Sequence, residues 1–121
     1  MVQNPLILCL DRIESCEIME ILFRRVGFRV MSRQSAKDAL QLAKQHSFAA
    51  VVAEYLLDDF SGAEFCTELK KHNPELPVIF YSAESRNEHK ERGLSAGAKA
   101  FLVKPNDIDH IEKTVMNYAI V

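Results

Sequence analysis

At 121 residues, 48% of them hydrophobic and 26% charged, the chain is long enough for one domain with a proper core and too short for two, so a single unit over residues 1–121 is expected. Its 15 basic and 17 acidic residues leave a net charge of −2, which excludes a basic stripe for nucleic acid and an acidic tail, and leaves proteins as the expected partners. Cys9, Cys16 and Cys66 are odd in number, lack C-x-x-C spacing and fall inside apolar patterns, which points to buried free thiols rather than a disulfide framework or zinc site.

Leu6 to Leu10 is unbroken apolar sequence, the pattern of a strand covered on both faces. It is too short for a signal-peptide core or a membrane span and is stopped by Asp11, so a cytoplasmic protein is expected. From Ser15 to Val26 the positions Ile18, Ile21, Leu22 and Val26 recur with helical spacing, and Gly27 follows as a stop. Phe28 to Met31 reads as a second strand. Ser35 and Asp38 form a capping pair for a helix whose buried stripe is Ala36, Ala39, Leu40 and Ala43. Phe48 to Ala53 is again a buried strand. Beyond the loop from Asp58 to Gly62, the residues Phe65, Cys66 and Leu69 mark a third helix ending near Asn73-Pro74. Pro77 opens the strand Val78 to Tyr81, where a proline costs no ladder bond. The stretch from Glu84 to Ala96 is mostly polar, offers Leu94 and a few alanines for burial, and carries Gly93, so this fourth helix should be the least firmly held. Lys99 to Val103 is the fifth strand, and Ile108, Ile111, Val115 and Ala119 form a last amphipathic helix.

Five buried strands alternating with five helices imply an α/β fold, a doubly wound parallel sheet with right-handed crossovers and helices on both faces. Ligands of such sheets bind outside the carboxyl ends of the strands. The polar residues there are Asp11 and Arg12 after the first strand, Glu54 after the third, Ser82 after the fourth and Lys104 after the fifth. Any one of them alone reads as a strand meeting water. Their convergence on one edge is the stronger signal. With no glycine-rich turn after the first strand, neither a dinucleotide fingerprint nor a phosphate-cradling loop is present.

The run Ile7-Leu8-Cys9-Leu10-Asp11, the glycine eight residues after Glu54, Pro77 to Ala83, and Gly97 to Pro105 stand in an order and spacing that resembles the receiver domains of two-component response regulators. The resemblance covers nearly the whole chain. It implies a five-stranded sheet in the order 2-1-3-4-5, the flavodoxin-like receiver fold. It also implies an aspartate at the end of the third strand that accepts a phosphoryl group from a histidine kinase, with magnesium held by an acidic pair after the first strand. Ser82, Lys104 and Asp11 match the family's site, Pro105 stands where a cis bond usually precedes, and Phe101 occupies the aromatic switch position. Arg12 stands where the second acid should be, Glu54 where the phosphoacceptor should be, and Asp58 where a proline is common.

These departures damage the chemistry. Phosphoryl transfer needs an in-line nucleophile and metal ions that spread charge. The extra methylene of Glu54 displaces its carboxylate by roughly 1.5 Å, and a misplacement of about 1 Å can cost about 10²-fold in rate. Arg12 removes a carboxylate from a magnesium site and adds a cation; two like unit charges 4 Å apart repel by about 4 kcal/mol at an effective dielectric near 20. The expected site is therefore a closed salt-bridge cluster in which Arg12 and Lys104 pair with Asp11 and Glu54, with no cofactor and no enzymatic activity. The alternative for Arg12 is a solvated surface arginine. A further expectation is that Glu54 imitates a phosphorylated acceptor, which requires Ser82 to reach it.

The favoured function is a degenerate, phosphorylation-independent receiver that controls a protein partner, such as an output domain. The resemblance places that contact on the fourth helix, fifth strand and fifth helix, a face that often mediates homodimers. The alternatives are a magnesium-dependent phosphoaccepting switch using Glu54 or a neighbouring aspartate, and a structural dimerisation domain. His46, His72, His89 and His110 read as surface residues, with His46 and His72 suited to helix C-termini. Asp58 and Asp59 read as solvated loop carboxylates, and the methionines as core or edge filler.

Overall fold

The computed structural model describes residues 4–120, so the ends of the expected 1–121 unit, Met1 among them, lie outside the described residues. Its elements alternate as β1 (Leu6–Leu10), α1 (Ile13–Arg25), β2 (Arg29–Arg33), α2 (Ala36–Ala43), β3 (Ala50–Ala53), α3 (Gly62–His72), β4 (Val78–Ser82), α4 (Asn87–Ser95), β5 (Ala100–Val103) and α5 (Ile108–Tyr118). The strands pair in parallel in the order β2-β1-β3-β4-β5. This is the five-stranded order expected from the sequence. Among the described residues no helix is long and apolar enough to cross a membrane.

The three inner strands are buried at every position, which is why they read as unbroken apolar runs. Edge strands β2 and β5 are only partly covered. Alternate residues of the inner strands feed two separate cores. Leu8, Leu10, Val51, Ala53 and Phe80 pack with α2 and α3 on one face, and Ile7, Cys9, Val52, Ile79 and Tyr81 pack with α1 and α5 on the other. Cys9, Cys16 and Cys66 are free and buried, as their apolar surroundings imply.

Helix α1 buries a different stripe from the one its isoleucines suggested. Cys16, Met19 and Phe23 face the sheet, with Leu22 and Val26 at the margin, while Ile18 and Ile21 are exposed. The helix carries two apolar stripes, and period alone does not choose between them. The buried one brings the larger side chains, with Phe23 meeting Phe28 edge-on at 6.3 Å between ring centroids. Two more apolar residues expected inside, Leu94 of α4 and Ile108 at the start of α5, are also exposed. Of the methionines, Met19 is core and Met31 edge filler, whereas Met116 stands exposed.

Helix α3 opens with a reciprocal capping box between Ser61 and Glu64, and its first residue explains the glycine eight positions after Glu54. A Cβ on Gly62 would lie 2.5 Å from the Tyr55 ring and 2.8 Å from the Phe80 ring, so only glycine lets α3 start this close to the end of β3. Asp59, just before it, is not a free loop carboxylate. Its two oxygens accept the Ala36 and Lys37 backbone N–H groups at 3.1 and 3.0 Å and so satisfy the N-terminus of α2, where the Ser35 hydroxyl accepts from Asp38 N–H. Helix α4 fully buries only Gly93, in keeping with its polar sequence.

Candidate functional site

Parallel strands with a common direction end along one edge, and the residues that leave β1, β3, β4 and β5 meet there. Glu54 continues the ladder through its backbone N–H, which donates to Leu10 O at 2.8 Å, before the chain turns into the β3–α3 loop. Its side chain then curls back over that turn. Oε2 accepts the Tyr55 and Leu56 backbone N–H groups at 2.6 and 3.1 Å and the Ser82 hydroxyl, and Oε1 accepts Ala83 N–H at 3.2 Å. The longer side chain of glutamate is thus absorbed by folding onto its own loop.

Lys104 completes the cluster. Its ammonium lies 2.6 Å from Asp11 Oδ2 and 3.5 Å from Glu54 Oε1, and 5.6 Å above the Tyr81 ring. Burial pulls its pKa down, but the carboxylates of Asp11 and Glu54 outweigh that and leave it raised, so the ammonium is the fixed cation of the site. The peptide between Lys104 and Pro105 is cis, as the family pattern implies. Asp11 is buried, and its other oxygen accepts the Arg12 backbone N–H at 2.7 Å.

Arg12 departs from the expectation. It caps the N-terminus of α1 with its side chain exposed, and among the described residues its guanidinium takes part in no ion pair. Arg12 serves Asp11 through its backbone N–H, and among the described residues Lys104 alone joins Asp11 to Glu54. Arg12 instead lines the open cleft of about 360 Å³ above the cluster, together with Ser15, Gln34, Leu57 and Asp58. Asp58 is exposed there.

The donor set does not fit magnesium. The ion binds through one or two carboxylates plus water. Here both Asp11 oxygens and both Glu54 oxygens already accept hydrogen bonds, and Arg12 adds positive charge at the mouth. Among the described residues no three His, Cys, Asp or Glu side chains cluster as a metal site.

Behind the cluster lies a set of aromatic contacts. Phe101 is partly covered, with its ring 5.6 Å from Phe80 and 5.5 Å from Tyr55, and Tyr55 in turn touches Phe80 at 5.2 Å and His89 at 5.3 Å. His89 is therefore not the surface residue its scattered position implied; His46, His72 and His110 are. Its Nδ1 is buried without a hydrogen-bond partner, while Nε2 lies 3.8 Å from Glu84 Oε2. Glu84 is a buried acid that the sequence reading passed over. Arg86 donates to it from Nε and Nη2, both at 2.9 Å, and from its backbone N–H at 2.8 Å, and these bonds hold its pKa down to about 2. The signal available in the sequence was the Glu-Ser-Arg spacing straight after β4, and it is weak.

Comparison with known proteins agrees with this fold. Residues 7–116 match the family model described as response regulator receiver domain. The chain is 30% identical over 105 residues to the transcriptional regulatory protein ZraR of Escherichia coli (strain K12), covering 87% of this chain but only 24% of that protein. It is 24% identical over 95 residues to the transcriptional regulatory protein SrrA of Staphylococcus aureus (strain NCTC 8325), covering 78% of this chain and 38% of that one. The chain therefore spans about a quarter to two-fifths of the curated relatives it matches. Among solved structures, the receiver domain of the Francisella response regulator 1452 superposes with a TM-score of 0.85 at 27% identity, covering 95% of this chain and 96% of that one. The Vibrio cholerae chemotaxis protein CheY4 superposes at 0.87 and 21% identity, covering 95% and 98%, a likeness of fold. With its sheet order, its Asp11–Glu54–Ser82–Lys104 edge and a family match over nearly its whole length, this chain belongs to the response regulator receiver domain family.

Proposed function

We propose that this receiver is a phosphorylation-independent interaction module in which Glu54 permanently occupies the place that a phosphoryl group takes in phosphoaccepting relatives. The observation that carries the reading is the set of donors on one carboxylate: the Ser82 hydroxyl, Ala83 N–H and Lys104 ammonium all converge on Glu54. The family resemblance gives Ser82 and Lys104 the task of following the phosphoryl group. A carboxylate that accepts from its own loop and from Ser82 is also a poor nucleophile, because its lone pairs are engaged.

The signal leaves the site through aromatic packing. With Ser82 held towards Glu54, the end of β4 and the β4–α4 loop are drawn to the cleft, and Phe101 rests against Phe80 and Tyr55. The face formed by α4, β5 and α5 is then held in one arrangement for a protein partner, an output domain such as transcriptional relatives imply. The module acts by binding and is not an enzyme.

Glu54→Gln tests this lock, since it keeps the length of the side chain and removes its charge. Amide chemical shifts are expected to change at Ser82, Ala83 and Lys104 and to spread to Phe101 and α4. Changes confined to the β3–α3 loop would contradict it. A second reading, a phosphoaccepting switch, is favoured by one observation: Asp58 is exposed in the same cleft. It requires a phosphoryl adduct that disappears in Asp58→Asn.

A further inference from the structure

Helix α1 carries an apolar ridge on the side away from the sheet. Ile18 is 50% exposed and Ile21 65%, with Ile13, 57% exposed, off to one side of them, whereas α4 exposes one large apolar residue, Leu94, among charges. Isolated surface isoleucines are ordinary. What distinguishes these is the order of charges around them. Glu14, Ile18, Ile21 and Arg25 follow one another at spacings of four, three and four residues, the seam of a helix that packs against another helix. Glu17 and Arg24 flank that seam on one side, about two turns apart from each other, on either side of its centre.

The pattern is self-complementary when reversed. Two copies of α1 laid antiparallel, with the twofold axis between Met19 and Glu20, set Glu14 against the partner's Arg25, Ile18 against the partner's Ile21, and Glu17 beside the partner's Arg24. Each pairing is repeated by symmetry, as an isologous interface requires. A helix acidic in its first half and basic in its last is matched only by its own reverse. A parallel arrangement would set like charges together.

We infer that the outward face of α1 is an interaction surface for a second copy of this chain, joined through an antiparallel α1–α1 contact centred on Ile18 and Ile21. The contact lies on the opposite face of the sheet from α4, so it leaves that helix open to another partner. Within one copy Arg25 pairs with Glu112 at 2.8 Å and Arg24 with Glu20 at 3.2 Å. Both pairs are exposed, and a guanidinium has donors for two carboxylates. A single helix pair covers less than the roughly 800 Å² per partner of a standard interface, so the dimer is weak.

Sedimentation equilibrium of the full chain across a concentration series tests this. The wild type is expected to dimerise with a dissociation constant between about 1 µM and 1 mM. Glu14→Arg and Arg25→Glu should each weaken association by about ten-fold or more. An equimolar mixture of those two variants should dimerise more tightly than either alone, because each supplies the charge the other lacks. Ile21→Gln should also weaken the dimer, and circular dichroism checks that every variant is folded. The inference is overturned by a wild type that stays monomeric, by a dimer indifferent to these changes, which would place the contact elsewhere, or by a mixture no tighter than its components.

Discussion

Lys104 is the side chain on which the site turns, because it is the only cation within reach of both Asp11 and Glu54 among the described residues. Lys104→Met keeps most of the packing volume and leaves two covered carboxylates facing each other without a counterion. Breaking a buried pair by removing one partner costs about 3–5 kcal/mol, and the lower end applies to a site that opens on a cleft. Urea denaturation of the variant should therefore show a loss of about 3 kcal/mol; a loss within error of zero would mean that water serves the two acids as well as lysine does. Glu84 makes a prediction in pH. Its folded-state pKa is about 2 against an ordinary 4.5, chiefly through the Arg86 side chain and backbone. A depressed carboxyl stabilises the fold above its unfolded value, so this contribution is complete above pH 4.5 and is lost as pH falls towards 2. Thermal melts of Arg86→Ala across that window should show a shallower loss of stability on the acid side than the wild type. Neither Glu84 nor His89 was legible as a covered residue, because their neighbours in sequence are polar and the ring packed on His89, that of Tyr55, is distant in the chain.

The inner strands were legible, and so was the face of α3, where Phe65, Cys66 and Leu69 are buried as expected, whereas the face of α1 was not. An inner strand of a parallel sheet is covered on both sides, so Leu6 to Leu10, Val51 to Ala53 and Val78 to Tyr81 have to be apolar throughout, and their ends are marked by the polar residues that form the site. A helix needs only one covered stripe, and α1 has two to offer. The stripe with Met19 and Phe23 was chosen by packing against β1 and Phe28, which no local pattern encodes. The service of Asp59 to α2 was hidden for the same reason, since a carboxylate 23 positions away supplies the cap. Gly62 is the contrary case, a residue recognised by spacing whose cause is steric. Gly62→Ala would drive a methyl group into Tyr55 and Phe80 at the head of α3. Overpacking of this kind typically costs about 1–3 kcal/mol. Chemical denaturation should show that loss, and retention of full stability would mean that α3 shifts without penalty.

For the whole molecule, the receiver fold is intact, and the edge of its sheet carries Glu54 and Arg12 where the family resemblance implies two acids of a phosphorylation site. The sheet order, the two cores and the cis peptide before Pro105 are those of the family, and the sequence announced them through buried runs and spacing. The convergence it announced at the strand ends is present, with a different wiring. Asp11, Glu54, Ser82 and Lys104 do converge, but among the described residues the Arg12 guanidinium joins none of their ion pairs, and only its backbone serves Asp11. The claim that phosphorylation has been replaced by a fixed carboxylate is tested by incubating the protein with magnesium and acetyl phosphate and measuring its intact mass. An unchanged mass is expected under conditions that phosphorylate a receiver with an aspartate acceptor. A phosphoryl adduct on Glu54 or Asp58 would contradict it.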